Sequence, residues 1–507
     1  MSAVQTANPG VDLAAADRPS PWWKWLLAAL LLTGLVWATV IFVWQVNRTD
    51  PGARDLLLWL VALPMGLIAG AHLLRSGLRG RSVRAAEIAP AGVDAVAATD
   101  GLDAPPRALP LLAHALSCRA GVDADDAIAQ LRTAPRPGLH PSLRDRYGLP
   151  VFAAPVDGLD VDAATAALHD AGAEDLGGWD EEIARAWALL EPVLDALLLA
   201  DVAAQALPDD ETPADASALP GYVYAHSRSV RAAPHQAGPQ LQIHVLLPAR
   251  WPSHARDIAS DAVRGRAQAM GHAADALELN VVPLSHAREV WSLLDRLSLE
   301  LHAAPRADRH LVLATDSLVG ALSVEALEHA GRLFGSAQPE GRIPGEAAAG
   351  LLLGAARTPD VPDVAPLQVH RAIVDPASRE DRSTRAAVRA AGDVCARALA
   401  VARQPADAVR ALVSDADQRP SRSIEAAGTL VAQLPELEPD LHGLHLGVAC
   451  GDVGLAAPLA LLALAAAQAA QAQAPVLALS IADDACRAAL AITPFPTAAA
   501  TATAAAA

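Results

Sequence analysis

Two places in this 507-residue chain carry side chains that could act as nucleophiles. Ser285 stands beside His286 where an apolar strand gives way to a helix. A serine next to an imidazole can be activated for acyl transfer. Adjacent residues seldom reach a usable Ser–His geometry, and serine is also an ordinary helix N-cap, so the cap is the preferred reading. Cys450 precedes Gly451 and Asp452 at a predicted strand end. A thiol at a helix N-terminus can be acidified. The competing and preferred reading is a small buried core cysteine. Gly345 and Glu346 open another possibility. An Ile343–Glu346 turn runs into Ala347–Ala349, and that lack of bulk lets one backbone press against another. Glu346, set in that close approach, then requires a partner or a bound water.

The remaining polar groups point to little chemistry. His442 and His445 have His-x-x-His spacing, and His226, His235, His244 and His254 are loosely spread. No cysteine or carboxylate cluster completes a ligand set, so no metal is predicted. Asp415, Asp417, Asp483 and Asp484 read as solvated loop carboxylates. No Walker or dinucleotide glycine motif is present, and no cofactor is predicted.

The elements that must position these residues alternate. Leu241–Pro248, Leu277–Leu284 and His310–Ala314 read as strands, with helices over His254–Gly271 and Ala287–Leu301 between them. Glu181–Leu207 is a long helix carrying Trp187. The theme repeats later: a strand at Val369–Pro376, a helix at Arg385–Val401, a strand within Ala408–Asp417 and a helix at Ser423–Leu434. Leu444–Ala470 reads as a strand, a Gly-rich turn and a small-residue helix, and Pro475–Ile492 as a strand and a last apolar stretch. This alternation argues for α/β with a sheet covered on both faces.

The Gly345–Ala348 segment, followed by a Gly451-x-x-Gly454 turn entering a small-residue helix, resembles β-ketoacyl synthases and the wider thiolase-like superfamily. The resemblance is good from about Val281 to Ile492, and over 108–240 it rests on the alternating pattern. It implies a thiolase-like α/β fold of two similar halves, 108–356 with an N-terminal extension and 357–492. It also implies where a condensing set would stand: a Cys at a strand-to-helix elbow, a His-Gly-Thr turn, and a Gly-His pair heading the small-residue helix with a Lys upstream. There a thiolate attacks an acyl thioester and imidazoles hold the enolate-like intermediate. In this sequence those positions read Leu284-Ser285-His286, Val413–Asp417 and Gly451-Asp452, and no Lys lies between Val369 and Gly451. Three departures together imply a scaffold without condensing chemistry. The alternative is an acyl-thioester-handling enzyme, or an acyl-ligand sensor, using Ser285 or Cys450.

Leu26–Trp44 and Leu56–Leu74 are apolar runs. Each is long enough to cross roughly 30 Å of hydrocarbon at about 1.5 Å per residue. Six of the ten tryptophans precede residue 75, as an interfacial belt would place them. The sequence predicts a cytoplasmic tail over 1–21, a transmembrane hairpin over 22–75, a linker over 76–107 and a disordered tail over 493–507. Arg75, Arg79, Arg81 and Arg84 put the body and the N-terminus in the bacterial cytoplasm, at the inner membrane. A net charge of -18 excludes nucleic-acid binding by electrostatics. Four scattered cysteines fit a reducing compartment. The plan of hairpin, length, Leu246–Pro248 and the Gly-Glu-Ala-Ala segment also resembles a proteobacterial family of membrane-anchored type VI secretion adaptors. That resemblance implies a lipase-type toxin effector and a spike protein as partners, and the thiolase-like one implies a homodimer.

Overall fold

Apolar runs without polar alternation are satisfied in a sheet only when both faces are covered. Such runs form the inner strands of the computed structural model, which describes residues 107–133, 136–172, 176, 178–206, 241–303, 308–354, 367–376 and 383–495. The predicted hairpin over 22–75, its tail, all of the linker but Arg107, and His226 and His235 lie outside the described residues.

The chain forms β1 (Leu109–Cys118), the pair β2 (Gly138–Arg144) and β3 (Pro150–Ala153), then β4 (Leu241–Pro248), β5 (Leu277–Leu284), β6 (Arg309–Ser317) and β7 (Glu346–Leu353). The later strands are β8 (Leu367–Val369), β9 (Ile373–Pro376), β10 (Ala411–Ser414), β11 (Gly443–His445), β12 (Val476–Ser480) and β13 (Cys486–Pro494). The helices are α1 (Ala124–Thr133), α2 (Val161–Asp170), α3 (Asp180–Ala206), α4 (Ser253–Ala269), α5 (Ala287–Ala303) and α6 (Ala321–His329). They continue with α7 (Thr384–Ala402), α8 (Pro420–Gln433), α9 (Leu446–Cys450) and α10 (Ala457–Ala472).

The strand order is β5-β4-β6-β7-β1 in the first half and β11-β10-β12-β13-β8 in the second, with β9 also on β13. Taking β8 and β9 as one interrupted strand, both orders are third-second-fourth-fifth-first. The second strand runs parallel to the third and fourth, and the fifth is antiparallel to its neighbours, in both halves. The chain is thus two copies of one α/β plan, joined where β8 pairs with both β1 and β13. Strand β13 runs on through Thr493 and Pro494, which pair with Gln368 and Leu367, so the ordered body extends past the predicted start of the tail.

Packing follows the same duplication. Leu and Ala side chains of α3 and α4 cover the outer face of the first sheet, and those of α7 and α8 cover the second. Helices α1, α5 and α10 fill the space between. Every residue of α10 from Ala457 to Ala469 is buried, so its small side chains let sheets approach from both sides. Among the described residues, Gly454–Ala472 is the one stretch long and apolar enough to cross a membrane, and it is a core helix here.

Two buried histidines give this core a pH dependence. His370 lies between β8 and β9 with Nε2 2.9 Å from Thr493 Oγ1, and His310 on β6 stacks on His244 of β4 at a ring separation of 5.7 Å. Burial pushes both imidazoles down to about 4, helped at His310 by His244. Both are neutral in the fold and titrate near 6.5 when unfolded, so their contribution is intact above pH 6.5 and lost as pH falls toward 4. We expect roughly 2 kcal/mol lost per histidine by pH 5. Thermal melts from pH 7.5 to 5 check this, and His370→Asn should reduce the slope.

Candidate functional site

The carboxyl ends of parallel strands are where α/β sheets open to ligands. Here β6 ends at Ser317, β10 at Ser414 and β12 at Ser480, and the segment between α6 and β7 crosses to the second half at that end. The two glycine motifs singled out in the sequence meet there. The Gly345 N–H donates to the Asp452 carbonyl at 2.9 Å, and the Asp452 N–H donates to the Ile343 carbonyl at 2.8 Å. A Cβ on Gly345 would lie 1.9 Å from the Cys450 carbonyl oxygen. Gly451 has φ +66°, and its Cβ would lie 2.5 Å from the Ile343 oxygen. Both positions therefore need glycine.

Glu346, fully buried, finds its partners from three directions. Arg185 on α3 donates Nε to Oε2 at 2.8 Å and Nη2 to Oε1 at 2.5 Å. Ser317 Oγ donates to Oε2 at 2.8 Å, and the Val156 N–H to Oε1 at 2.7 Å. A second group centres on Asp316, which accepts from Arg250 Nη2 at 2.5 Å and from the Leu455 N–H at 2.9 Å. Arg250 also lies 5.5 Å over the Trp179 ring. Nearby, Glu182 accepts from the Ser323 N–H and hydroxyl at 3.0 and 2.8 Å, and burial pushes its carboxyl up to about 7.

On the second half, Asp452 accepts from Arg342 Nη1 at 2.7 Å and from the Gly454 N–H at 3.1 Å. Burial alone would raise its carboxyl; Arg342 holds it below the usual range. Asp415 accepts from Ser480 Oγ at 2.5 Å and from the Ile481 and Ala482 N–H groups at 2.6 and 2.9 Å. Burial pushes Asp415 up. Asp417 pairs with Arg419 Nε at 2.8 and 2.9 Å.

These positions correct the reading of Asp415 and Asp417 as solvated carboxylates. Asp415 and Asp417 are 5% and 2% exposed, whereas Asp484 is exposed, as the sequence reading has it, and also faces arginines. The loop bearing Asp415 and Asp417 folds inward at the seam between the halves, where arginines and backbone N–H groups replace water. The cap at Ser285 is also of a different kind. Glu289 reaches back to accept from the Ser285 N–H at 2.8 Å and the His286 N–H at 3.4 Å, so α5 is closed by that carboxylate and not by the serine hydroxyl. Cys450 is fully buried beside Cys118, and that neighbouring thiol and burial push its thiol well up. It has the environment of a core cysteine, not of an activated nucleophile.

His442 Nδ1 accepts from the Glu438 N–H at 3.0 Å, and His445 Nδ1 lies 2.7 Å from Ser414 Oγ. The Ser414–His445 contact was not read from the sequence; the two sit on neighbouring parallel strands and share no local motif. Ser414 is fully buried. Among the described residues no group of three or more His, Cys, Asp or Glu is placed to hold a metal. Two adjoining clefts of about 290 and 560 Å³ share Trp187 and Glu191 and lie in the outer helical layer of α2, α3 and α4.

No family model matches this sequence, and no curated protein matches it. Several solved structures are similar to it. The ishigamide ketosynthase/chain length factor is 16% identical with a TM-score of 0.48, over 77% of this chain and 100% of that one. A ketosynthase in complex with its chain length factor from Xenorhabdus doucetiae is 13% identical with a TM-score of 0.46, over 77% and 100%. A β-ketoacyl synthase from Burkholderia phymatum is 12% identical with a TM-score of 0.45, over 77% and 100%. The fold is a thiolase-like α/β fold, carried by this chain's own repeated strand order. At such identities the likenesses carry no argument about chemistry.

Proposed function

We propose that this protein is a non-catalytic scaffold of thiolase-like fold, anchored at the inner membrane by the spans over 26–44 and 56–74. It binds a lipase-type toxin effector in the cytoplasm and assists its loading onto a type VI secretion spike. The observation that supports the non-catalytic part is the filling of the strand-end site. Where a condensing enzyme's imidazoles would stand, Asp415 is bonded to Ser480 and two backbone N–H groups, and Asp452 to Arg342. An ionised carboxylate accepts hydrogen bonds and donates none, so it does not replace an imidazole that holds an enolate-like intermediate. Function lives in sites and not in folds, so a retired site leaves the large outer faces available for protein binding. Support for the toxin and spike is the sequence resemblance in plan. Among the described residues, β5 ends the first sheet, and its eight-residue edge supports a homodimer.

The test is affinity capture with the tagged full chain from its native host, with bound proteins identified by mass spectrometry. A stoichiometric secreted toxin or spike component is the expected result. Capture of an acyl carrier protein instead would sink the adaptor reading.

A further inference from the structure

On the loop between β12 and β13, one carboxylate faces four guanidinium groups. Asp484 Oδ2 lies 3.3 Å from Arg332 Nη2 and 3.5 Å from Arg342 Nη2. Its Oδ1 lies 3.3 Å from Arg419 Nη1 and is also bonded by Arg422 Nη2. The Asp484 side chain is 54% exposed, whereas those of Arg342, Arg419 and Arg422 are 15%, 3% and 11% exposed. The cations thus form the wall of a cup and the carboxylate sits at its mouth. Burial alone would raise the Asp484 carboxyl, but Arg342, Arg422 and Arg419 hold it near 2, so it is charged at neutral pH.

A further observation shows that Asp484 does not saturate this cup. The buried Nε–H groups of Arg342 and Arg422 have no acceptor among the described residues. Buried donors of this kind are normally paired. Around the cup, Arg332, Arg342, Arg419, Arg422 and Arg487 are set against Asp417, Glu425, Asp452 and Asp484, with Asp483 also acting on Arg342, so the guanidinium excess is local to Asp484. Guanidinium forks match the planar or tetrahedral oxygens of carboxylates and phosphates and bind them by paired N–H donors.

We propose that this cup is an oxyanion-binding site, for a phosphate monoester or a carboxylate, and that Asp484 is a built-in occupant which the incoming anion displaces. The loop backbone can stay in place during the exchange, because Asp415 anchors the Ile481 and Ala482 N–H groups. Only the Asp484 side chain has to swing outward, where it is already half in solvent. This inference does not rest on the scaffold reading, since it needs neither a protein partner nor the absence of a reaction.

The test uses the purified full chain and isothermal titration with inorganic phosphate and, separately, with succinate. Asp484→Asn is expected to bind at least one of the two about tenfold more tightly than the wild type, which is about 1.4 kcal/mol. Adding Arg422→Gln to that variant should abolish the gain. Tighter phosphate would assign a phosphate monoester, and tighter succinate a carboxylate. No gain with either anion, in an Asp484→Asn protein that keeps its circular dichroism, overturns the proposal. Should Asp484→Asn not fold, the wild type itself decides. Phosphate or succinate must raise its melting temperature, and the surface change Arg332→Gln must reduce that rise; failure of either overturns the site.

Discussion

Replacing Arg185 by alanine is expected to destabilise the fold by about 3–5 kcal/mol. The reason is what stays behind. Glu346 is fully buried at the start of β7, and among the described residues Arg185 supplies its only guanidinium, through two hydrogen bonds. Ser317 and the Val156 N–H would remain, but neither carries charge. An ion pair of this kind adds little net stability over an apolar pair, yet breaking one side leaves an uncompensated buried charge. The double variant Arg185→Ala with Glu346→Gln removes that charge and is expected to recover part of the loss. Thermal melts should show the single variant lowered on the order of 5–10 °C and the double lowered less. A single variant that melts with the wild type would mean that Glu346 is solvated or neutral.

Gly345→Ala is expected to have the second large effect, about 3 kcal/mol, through backbone contact alone. The new methyl would stand 1.9 Å from the Cys450 carbonyl oxygen and 3.2 Å from that of Asp452. Neither is the end of a pliable side chain, so relief requires parting the Gly345–Asp452 and Asp452–Ile343 hydrogen bonds. Those bonds tie the 341–345 segment to the turn that opens onto α10, so the seam between the halves opens with them. Gly335→Ala is the matched control, since a Cβ there meets nothing within 4 Å. A melting temperature for Gly345→Ala equal to that of Gly335→Ala would show that the two motifs do not press together as described.

Long apolar runs made much of this legible in advance. The strands at 241–248 and 277–284 and the helices at 180–206 and 287–303 follow from hydrophobic period alone, because burial on one or both faces fixes it. Gly345, Glu346, Gly451 and Asp452 stood out because glycine and a lone carboxylate are costly in such runs, although nothing local said that the two motifs touch. What the sequence hid is of two kinds. Short elements carry too few residues for a period: β2 and β3 escaped notice, Leu446–Cys450 is a helical turn where a strand was expected, and Val369–Pro376 is broken at His370–Ala372. Ion pairs were hidden by separation. Arg185 and Glu346 lie 161 residues apart, and Arg342 and Asp452 110 apart, so no spacing rule could pair them. The available signal was a lone acid at the end of an apolar strand, as at Asp316, which must find a cation somewhere.

The measurement that bears most directly on the scaffold reading is intact-protein mass spectrometry of the purified full chain after incubation with an acyl thioester. In a condensing enzyme the thiolate attacks the thioester carbonyl, the acyl group moves to the protein sulfur and the carrier thiol leaves. The account expects an unchanged protein mass, because Cys450 is buried with a raised thiol pKa and, among the described residues, no base is bonded to the Ser285 hydroxyl, Glu289 taking only its backbone N–H. A stoichiometric acyl adduct that disappears in Cys450→Ala or Ser285→Ala would contradict it and return this protein to the enzymes.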